Sequence, residues 1–139
     1  MSGKDTDQQL IDTLRRKLQH IPFTQLLGIE VAEATRGTAT LTLEITDQLK
    51  RNNGIAHGGA IASLVDTATA FATLSLLKPG QHSTTIDLTL NFLRPLHTGT
   101  ARATAKVLRN GRRILVVSVE VVDADGKLAA TALSTYIKD

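Results

Sequence analysis

Asp66 is the only ionisable group in the apolar run from Ala60 to Leu77, a run that holds neither Gly nor Pro. Nine residues before it stands His57, followed by Gly58 and Gly59. A carboxylate in such a setting is costly unless it is hydrogen-bonded, paired or used. Used, it is a general base or a nucleophile, and burial in an apolar helix should raise its basicity toward the range where it takes protons near neutral pH. Gly58 and Gly59 lack Cβ atoms, so a carbonyl group can come close to the backbone there. Backbone N–H groups at a helix N-terminus are well aimed at developing negative charge. Type and spacing together describe a base and an anion-stabilising turn on one helix. Each residue also has a structural alternative. His57 caps the helix or braces the turn in preference to touching a substrate; the glycines serve only a tight turn; Asp66 is a satisfied helix carboxylate.

The elements that must position these groups follow from periodicity. Asn52 to Leu77 reads as a turn followed by a helix roughly 30 Å long, ended by Lys78-Pro79-Gly80. A helix apolar on every side is a membrane span or the buried axis of a fold. Asp66, the Ser and Thr residues within it and the strands around it favour the second. Residues 1 to about 6 are polar and expected to fray. Leu10, Ile11, Leu14 and Leu18 recur at helical spacing with Asp7 as N-cap, and Pro22 ends that helix. Phe23 to Leu27 forms a short turn. Strands are expected at Ile29 to Ala34 and Thr38 to Ile45 before the long helix. After it come Ser83 to Leu93, Ala101 to Leu108, Ile114 to Val122 and Leu128 to Ile137, with hairpin turns at Asn110-Gly111 and Asp123 to Lys127. In the third strand, strict alternation puts Ile86, Leu88, Leu90 and Phe92 on one face and Thr85 on the other. The order predicts an α+β fold in which one antiparallel sheet, its last four strands a meander, wraps a central helix. Open sheet edges point to a two-fold dimer joined edge to edge.

Bulk properties bound the function. The 139 residues suit one domain, 42% of them hydrophobic and 21% charged, as in ordinary globular proteins. Zero cysteines exclude a disulfide framework and thiolate chemistry and fit a reducing compartment. The first ten residues carry no apolar signal segment, so a cytoplasmic protein is expected. A net charge of +3 with 3% aromatic residues argues against a nucleic-acid surface, and no membrane partner is expected.

The segment GIAHGGA from Gly54 to Ala60, with Leu64-Val65-Asp66-Thr67-Ala68, resembles the signature of the hot-dog fold acyl-CoA thioesterases. It is most similar to the phenylacetic-acid-degradation type. Leu26-Leu27-Gly28-Ile29-Glu30, Asn91-Phe92-Leu93-Arg94-Pro95 and Asp125-Gly126-Lys127-Leu128 extend the resemblance over nearly all the chain after Pro22, with residues 1–24 a helical segment and 25–139 the hot-dog domain. The resemblance implies hydrolysis of an acyl-CoA or aryl-CoA without metal or cofactor. Gly58 is then the main oxyanion donor beside Gly59 and His57, and Asp66 is the nucleophile or general base. Thr85 matches a water-positioning hydroxyl. It also implies a dimer, or a tetramer built as a dimer of dimers, in which Asp66 of one subunit faces the His57-Gly58-Gly59 turn of the other. Ala60, Ala62, Ala70, Phe71 and Leu74 are candidates to line the acyl pocket at that boundary.

One departure stands out. Relatives often carry an Asn six residues before the His, where this chain has Arg51; Asn52 or Asn53 then holds the water, or Arg51 serves the CoA phosphates. Arg94, Arg109, Arg112 and Arg113 are the other phosphate candidates, since Arg grips phosphate bidentately. A hot-dog hydratase or dehydratase is the nearest rival, though the Phe-Pro-Gly segment of that type is absent. A non-catalytic acyl-CoA sensor is the other rival. Residues 1–25 are too few for the helix-turn-helix such sensors carry.

Overall fold

The computed structural model describes residues 3–139; Met1 and Ser2, at the head of the stretch expected to fray, lie outside the described residues. Helix α1 (Gly3–Gln19) turns Leu14 and Leu18 into the core. It begins before Asp7, so Asp7 lies inside the helix and is not its cap. No Gly or Pro interrupts the sequence from Lys4 to Gln19, and nothing forces a later start. Helix α2 (Pro22–Leu27) has Pro22 in its first turn, where the missing N–H costs nothing. It closes on Gly28, whose φ of 80° suits glycine.

Six strands follow the two helices or flank the third: β1 (Glu30–Thr35), β2 (Thr38–Glu44), then α3 (Gly58–Leu74), β3 (Ser83–Phe92), β4 (Thr100–Asn110), β5 (Ile114–Val122) and β6 (Leu128–Lys138). They form one antiparallel sheet in the order β1-β2-β4-β5-β6-β3. The expected four-strand meander is therefore a three-strand one, β4-β5-β6, and β3 stands at the far edge beside β6. The link from β3 to β4 carries the chain from that edge back to the middle. Leu96 within it is buried, and its carbonyl accepts the Ala56 N–H at 2.7 Å just ahead of α3. The link is thus pinned across the start of the helix.

Helix α3 packs on one face of the sheet. Its Leu64, Val65, Ala68 and Ala72 have no exposed surface, and they meet Leu41 and Leu43 of β2, Ala103 and Ala105 of β4 and Val117 of β5 in one core. Alanines on β4 hold that strand close under the helix, which leaves the large side chains of neighbouring strands to fill the flanks. Leu64→Ala should cost about 2–5 kcal/mol of stability, because the rigid surroundings cannot close over the lost volume. Urea unfolding of the pair of proteins measures it; a loss under about 1 kcal/mol would mean that the site collapses freely. Helix α3 ends at Leu74, a turn short of the Lys78-Pro79 stop. Ser75 is drawn to the β1–β2 turn, where its Oγ accepts the Gly37 N–H at 2.7 Å. Leu76 and Leu77 continue only as i→i+3 turns.

Two features of this frame shape the site. The first is a bulge in β3. Thr85 pairs with Tyr136 and Asp87 with Thr135, so Ile86 is the extra residue. An inserted residue flips the inward phase. Ser83 and Thr85 face α3 before the bulge and Leu88 and Leu90 after it, while Ile86 turns outward, 55% exposed. The alternation expected for this strand fails at that one residue, and Thr85 comes onto the helix side. The second feature is a stripe along α3. Gly59, Ala62, Ser63, Asp66, Thr67 and Ala70 recur at helical spacing and stay open or half-buried, although the helix is apolar by composition. Phe71 points away from the stripe into the core, 3% exposed. The two sheet edges also differ. α1 lies along β1, and Arg15 donates from Nε to the Val31 carbonyl at 3.1 Å. Among the described residues no strand pairs with the outer edge of β3.

Candidate active site

His57 is the N-cap of α3. Its φ and ψ of −65° and 133° are extended, and its Nδ1 accepts the Gly59 N–H at 2.8 Å. An acceptor Nδ1 makes this ring the neutral tautomer with its proton on Nε2. The His57 carbonyl takes the Ala60 N–H at 3.0 Å. Of the first N–H groups of the helix, that of Gly58 has no acceptor among the described residues. Gly58 lines a cleft of about 390 Å3 together with Ile61, Arg51, Phe92 and Arg94. A Cβ on Gly58 would come within 3.3 Å of Phe92 Cζ, so glycine keeps this approach open. On the other side of the same turn a smaller recess of about 240 Å3 lies between Phe23, Leu49, His57, Gly59 and Ser63.

Asp66 sits two turns further along, half-buried in the open stripe. Its Oδ1 accepts the Thr85 hydroxyl at 2.9 Å, a contact made by the β3 bulge. Directly across the strand pair from Thr85 stands Tyr136, 2% exposed. The Tyr136 hydroxyl lies 3.0 Å from the Asp66 carbonyl, 3.3 Å from Oδ1 and 2.7 Å from Thr69 Oγ1. Thr69 Oγ1 also donates to the Asp66 carbonyl at 2.8 Å. The expectation of a carboxylate set deep in an apolar helix becomes one of a half-open carboxylate, held on one oxygen by hydroxyls from two strands.

The remaining residues singled out from sequence fall in two places. Arg51 and Arg94 share the Gly58 cleft. Asn52 and Asn53 are exposed at the tip of a loop closed by the Arg51 N–H on the Ile55 carbonyl at 2.8 Å, and they do not line that cleft. Arg112 lines a separate cleft with Arg36, Lys78 and Lys138 at the C-terminal end of α3, and Arg113 lies exposed beside it in sequence. Within one chain these two arginines are a helix length from Gly58. Tyr136 and Thr69 went unmarked by sequence reasoning. A lone tyrosine at an inward strand position was the available signal, since a buried phenol demands a polar partner.

Burial pushes the Tyr136 phenol up to about 12, and the Asp66 charge beside it pushes the same way, against hydrogen bonds from Thr69 and Thr85. The folded chain thus holds this proton more tightly than the unfolded one. Its contribution is complete below about pH 10 and is lost as pH rises to about 12, a change of roughly 3 kcal/mol. Denaturant unfolding at pH 9 and pH 12 should show that loss in the wild type beyond the loss in Tyr136→Phe; equal losses would mean that the phenol is not stabilised in its neutral form.

The model of the Thioesterase superfamily matches residues 53–130, from the loop before α3 into β6. The chain belongs to the thioesterase superfamily. It is 35% identical over 105 residues to the acyl-coenzyme A thioesterase PaaI of Escherichia coli, covering 75% of this chain and 73% of that one. It is 32% identical over 133 residues to the medium/long-chain acyl-CoA thioesterase YigI of Salmonella typhimurium, covering 85% and 86%. The solved structure of E. coli PaaI, from the phenylacetic acid degradation operon, matches with a TM-score of 0.87 at 28% identity, over 96% of this chain and 95% of that one. The sheet and long helix are those of the hot-dog fold, and the protein is placed among the thioester hydrolases. Among the described residues no helix is long and apolar enough to cross a membrane.

Proposed function

We propose that this thioesterase hydrolyses an acyl-CoA or aryl-CoA to the free acid and CoA, in a site that a second copy of the chain completes. Support comes first from one observation: the only free N–H of the helix-capping turn and the hydroxyl-held carboxylate lie on the same helix but eight residues apart. At 1.5 Å per residue that is about 12 Å. A thioester carbon must sit within about 3–3.5 Å of its attacking atom while its oxygen meets the oxyanion donor. One chain therefore offers two half-sites. A two-fold partner laid along the stripe of α3, with its β3 beside this β3, would bring the Gly58 turn of one copy to the Asp66 of the other.

In the assembled site Asp66 either takes a proton from water, whose oxygen then adds to the thioester carbonyl, or adds to that carbonyl itself. The Gly58 N–H receives the charge on the carbonyl oxygen. Collapse of the adduct breaks the C–S bond and releases the CoA thiolate, which takes up a proton; in the second route water then hydrolyses the acyl-Asp66 anhydride. We assign Arg51 and Arg94, which share the cleft with Gly58, to the CoA phosphates. His57 acts by shaping the turn, because its Nδ1 is spent on Gly59. Both named relatives are acyl-CoA thioesterases, which supports the substrate class. The test is thiol release from phenylacetyl-, hydroxybenzoyl-, short- and medium-chain CoA esters, followed with a disulfide-exchange dye. Turnover of at least one is expected. Absence of release from all of them, with CoA esters still bound in calorimetry, would make the protein a sensor instead.

A further inference from the structure

Tyr136 sits on the last strand, seventy residues in sequence beyond Asp66, and its hydroxyl is turned to Asp66 and to the two threonines that hold Asp66, Thr69 and Thr85. A phenylalanine would fill the same buried space. The hydroxyl is therefore surplus to packing, and its placement asks for another reason.

Proton counting supplies one. Tyr136 and Thr69 carry one hydroxyl proton each and share four close contacts: with one another, with the Asp66 carbonyl from both sides, and with Asp66 Oδ1. Two protons cannot fill all four at once, and two of the possible arrangements differ in what they offer the Asp66 carboxylate. In one, Thr69 donates to Tyr136 and Tyr136 donates to Oδ1, which suits an ionised carboxylate. In the other, Tyr136 donates to Thr69 and Thr69 donates to the Asp66 carbonyl, which suits a carboxyl group that has become neutral by protonation or acylation. Thr85 donates to Oδ1 as well. With both donors on Oδ1, Oδ2 has none among the described residues and is the more basic oxygen.

We propose that Tyr136, seated on Thr69, is a positioning residue for Asp66: it fixes Oδ2 as the reacting oxygen and reverses its hydrogen bond as the carboxylate gains and loses charge. This rests on the thioesterase reading given above. The proton taken from water goes to Oδ2, and no proton leaves the phenol; only the direction of two hydrogen bonds changes. The neutral phenol is the form the site needs, and burial keeps it so.

Tyr136→Phe should lower kcat about tenfold, the range expected for losing a hydrogen bond to a charged group, with KM within about twofold. The acid limb of its kcat/KM profile should move up by roughly half a pH unit, since the ionised carboxylate has lost a donor. A purely structural tyrosine would move the melting temperature and leave that limb in place. A second readout needs no activity. The chain has one tyrosine and no tryptophan, so tyrosinate absorbance after a rapid pH jump, recorded before unfolding, reports Tyr136 alone. Asp66→Asn should lower that titration by a small, measurable step, because the Asp66 charge is removed while burial, the larger cause, remains. An unchanged titration in Asp66→Asn, or an unmoved acid limb and kcat in Tyr136→Phe, overturns the proposal. If the wild type releases no thiol from any ester, the thioesterase reading fails separately, and the absorbance result still decides whether Tyr136 and Asp66 are coupled.

Discussion

Asp66→Asn should reduce kcat for thioester hydrolysis by about a thousandfold or more while the protein stays folded. The fold tolerates the change because Asn keeps the shape of Asp and can turn its amide oxygen toward Thr85 and Tyr136, which donate to Oδ1 in the wild type. What it cannot do is accept a proton from water or attack a thioester. General base catalysis by a placed carboxylate contributes about 10²–10⁴ in rate, and loss of a nucleophile lies toward or beyond the upper end. KM should change little, since the Gly58 cleft and its two arginines are untouched. Thiol release for both proteins, beside a thermal melt, measures the effect. A variant that keeps more than about a fifth of the wild-type rate would remove Asp66 from the chemistry and leave Thr85, Thr69 and Tyr136 as a structural cluster around a satisfied carboxylate.

Much of the frame was legible in the chain because local signals were strong. β5 begins and ends at the β-branched run Ile114–Val122 that marks it, and α3 starts at the His57-Gly58-Gly59 turn. Where reading failed, the cause was non-local. The sequence STTIDLTLNF alternates without a break, so nothing in it reveals that Ile86 is squeezed out when Thr85 and Asp87 pair with adjacent residues of β6. That single insertion decides whether Thr85 faces solvent or Asp66. The place of β3 beside β6 depends on partners that lie far along the chain, from Ser83 with Lys138 to Phe92 with Ala130, which no window over β3 contains. The open stripe of α3 is hidden for another reason. Its Gly, Ala, Ser and Thr residues are small enough to suit either a core or an interface, so composition alone reads as buried all round. Tyr136 escaped for both reasons: an unremarkable strand position and a contact made only by the fold.

Gly58→Pro offers a companion to Asp66→Asn, and the two together test whether the active site spans two chains. Proline deletes the N–H that would hold the oxyanion while suiting the local backbone. Gly58 opens α3, where proline is tolerated, and His57 before it is already extended. Added atoms would press on Phe92 at 3.3 Å, but that ring is 56% exposed and can yield. Loss of the donor should cost about 10²–10³ in kcat. Each variant alone is then nearly inactive. If Asp66 of one copy works with Gly58 of the other, co-refolding equal amounts of the two should restore activity. Half of the dimers are mixed, and each mixed dimer has one site with both groups intact, so about a quarter of the wild-type rate is expected from a closed two-fold assembly. Simple mixing of pre-folded proteins should restore less, at the pace of subunit exchange. A site contained in one chain gives no recovery under either protocol, because every chain then carries a lesion. Such a result would require the 12 Å between the two groups to be closed by rearrangement of α3 itself. A continuous helix with Leu64 and Val65 locked in the core between those groups opposes that movement.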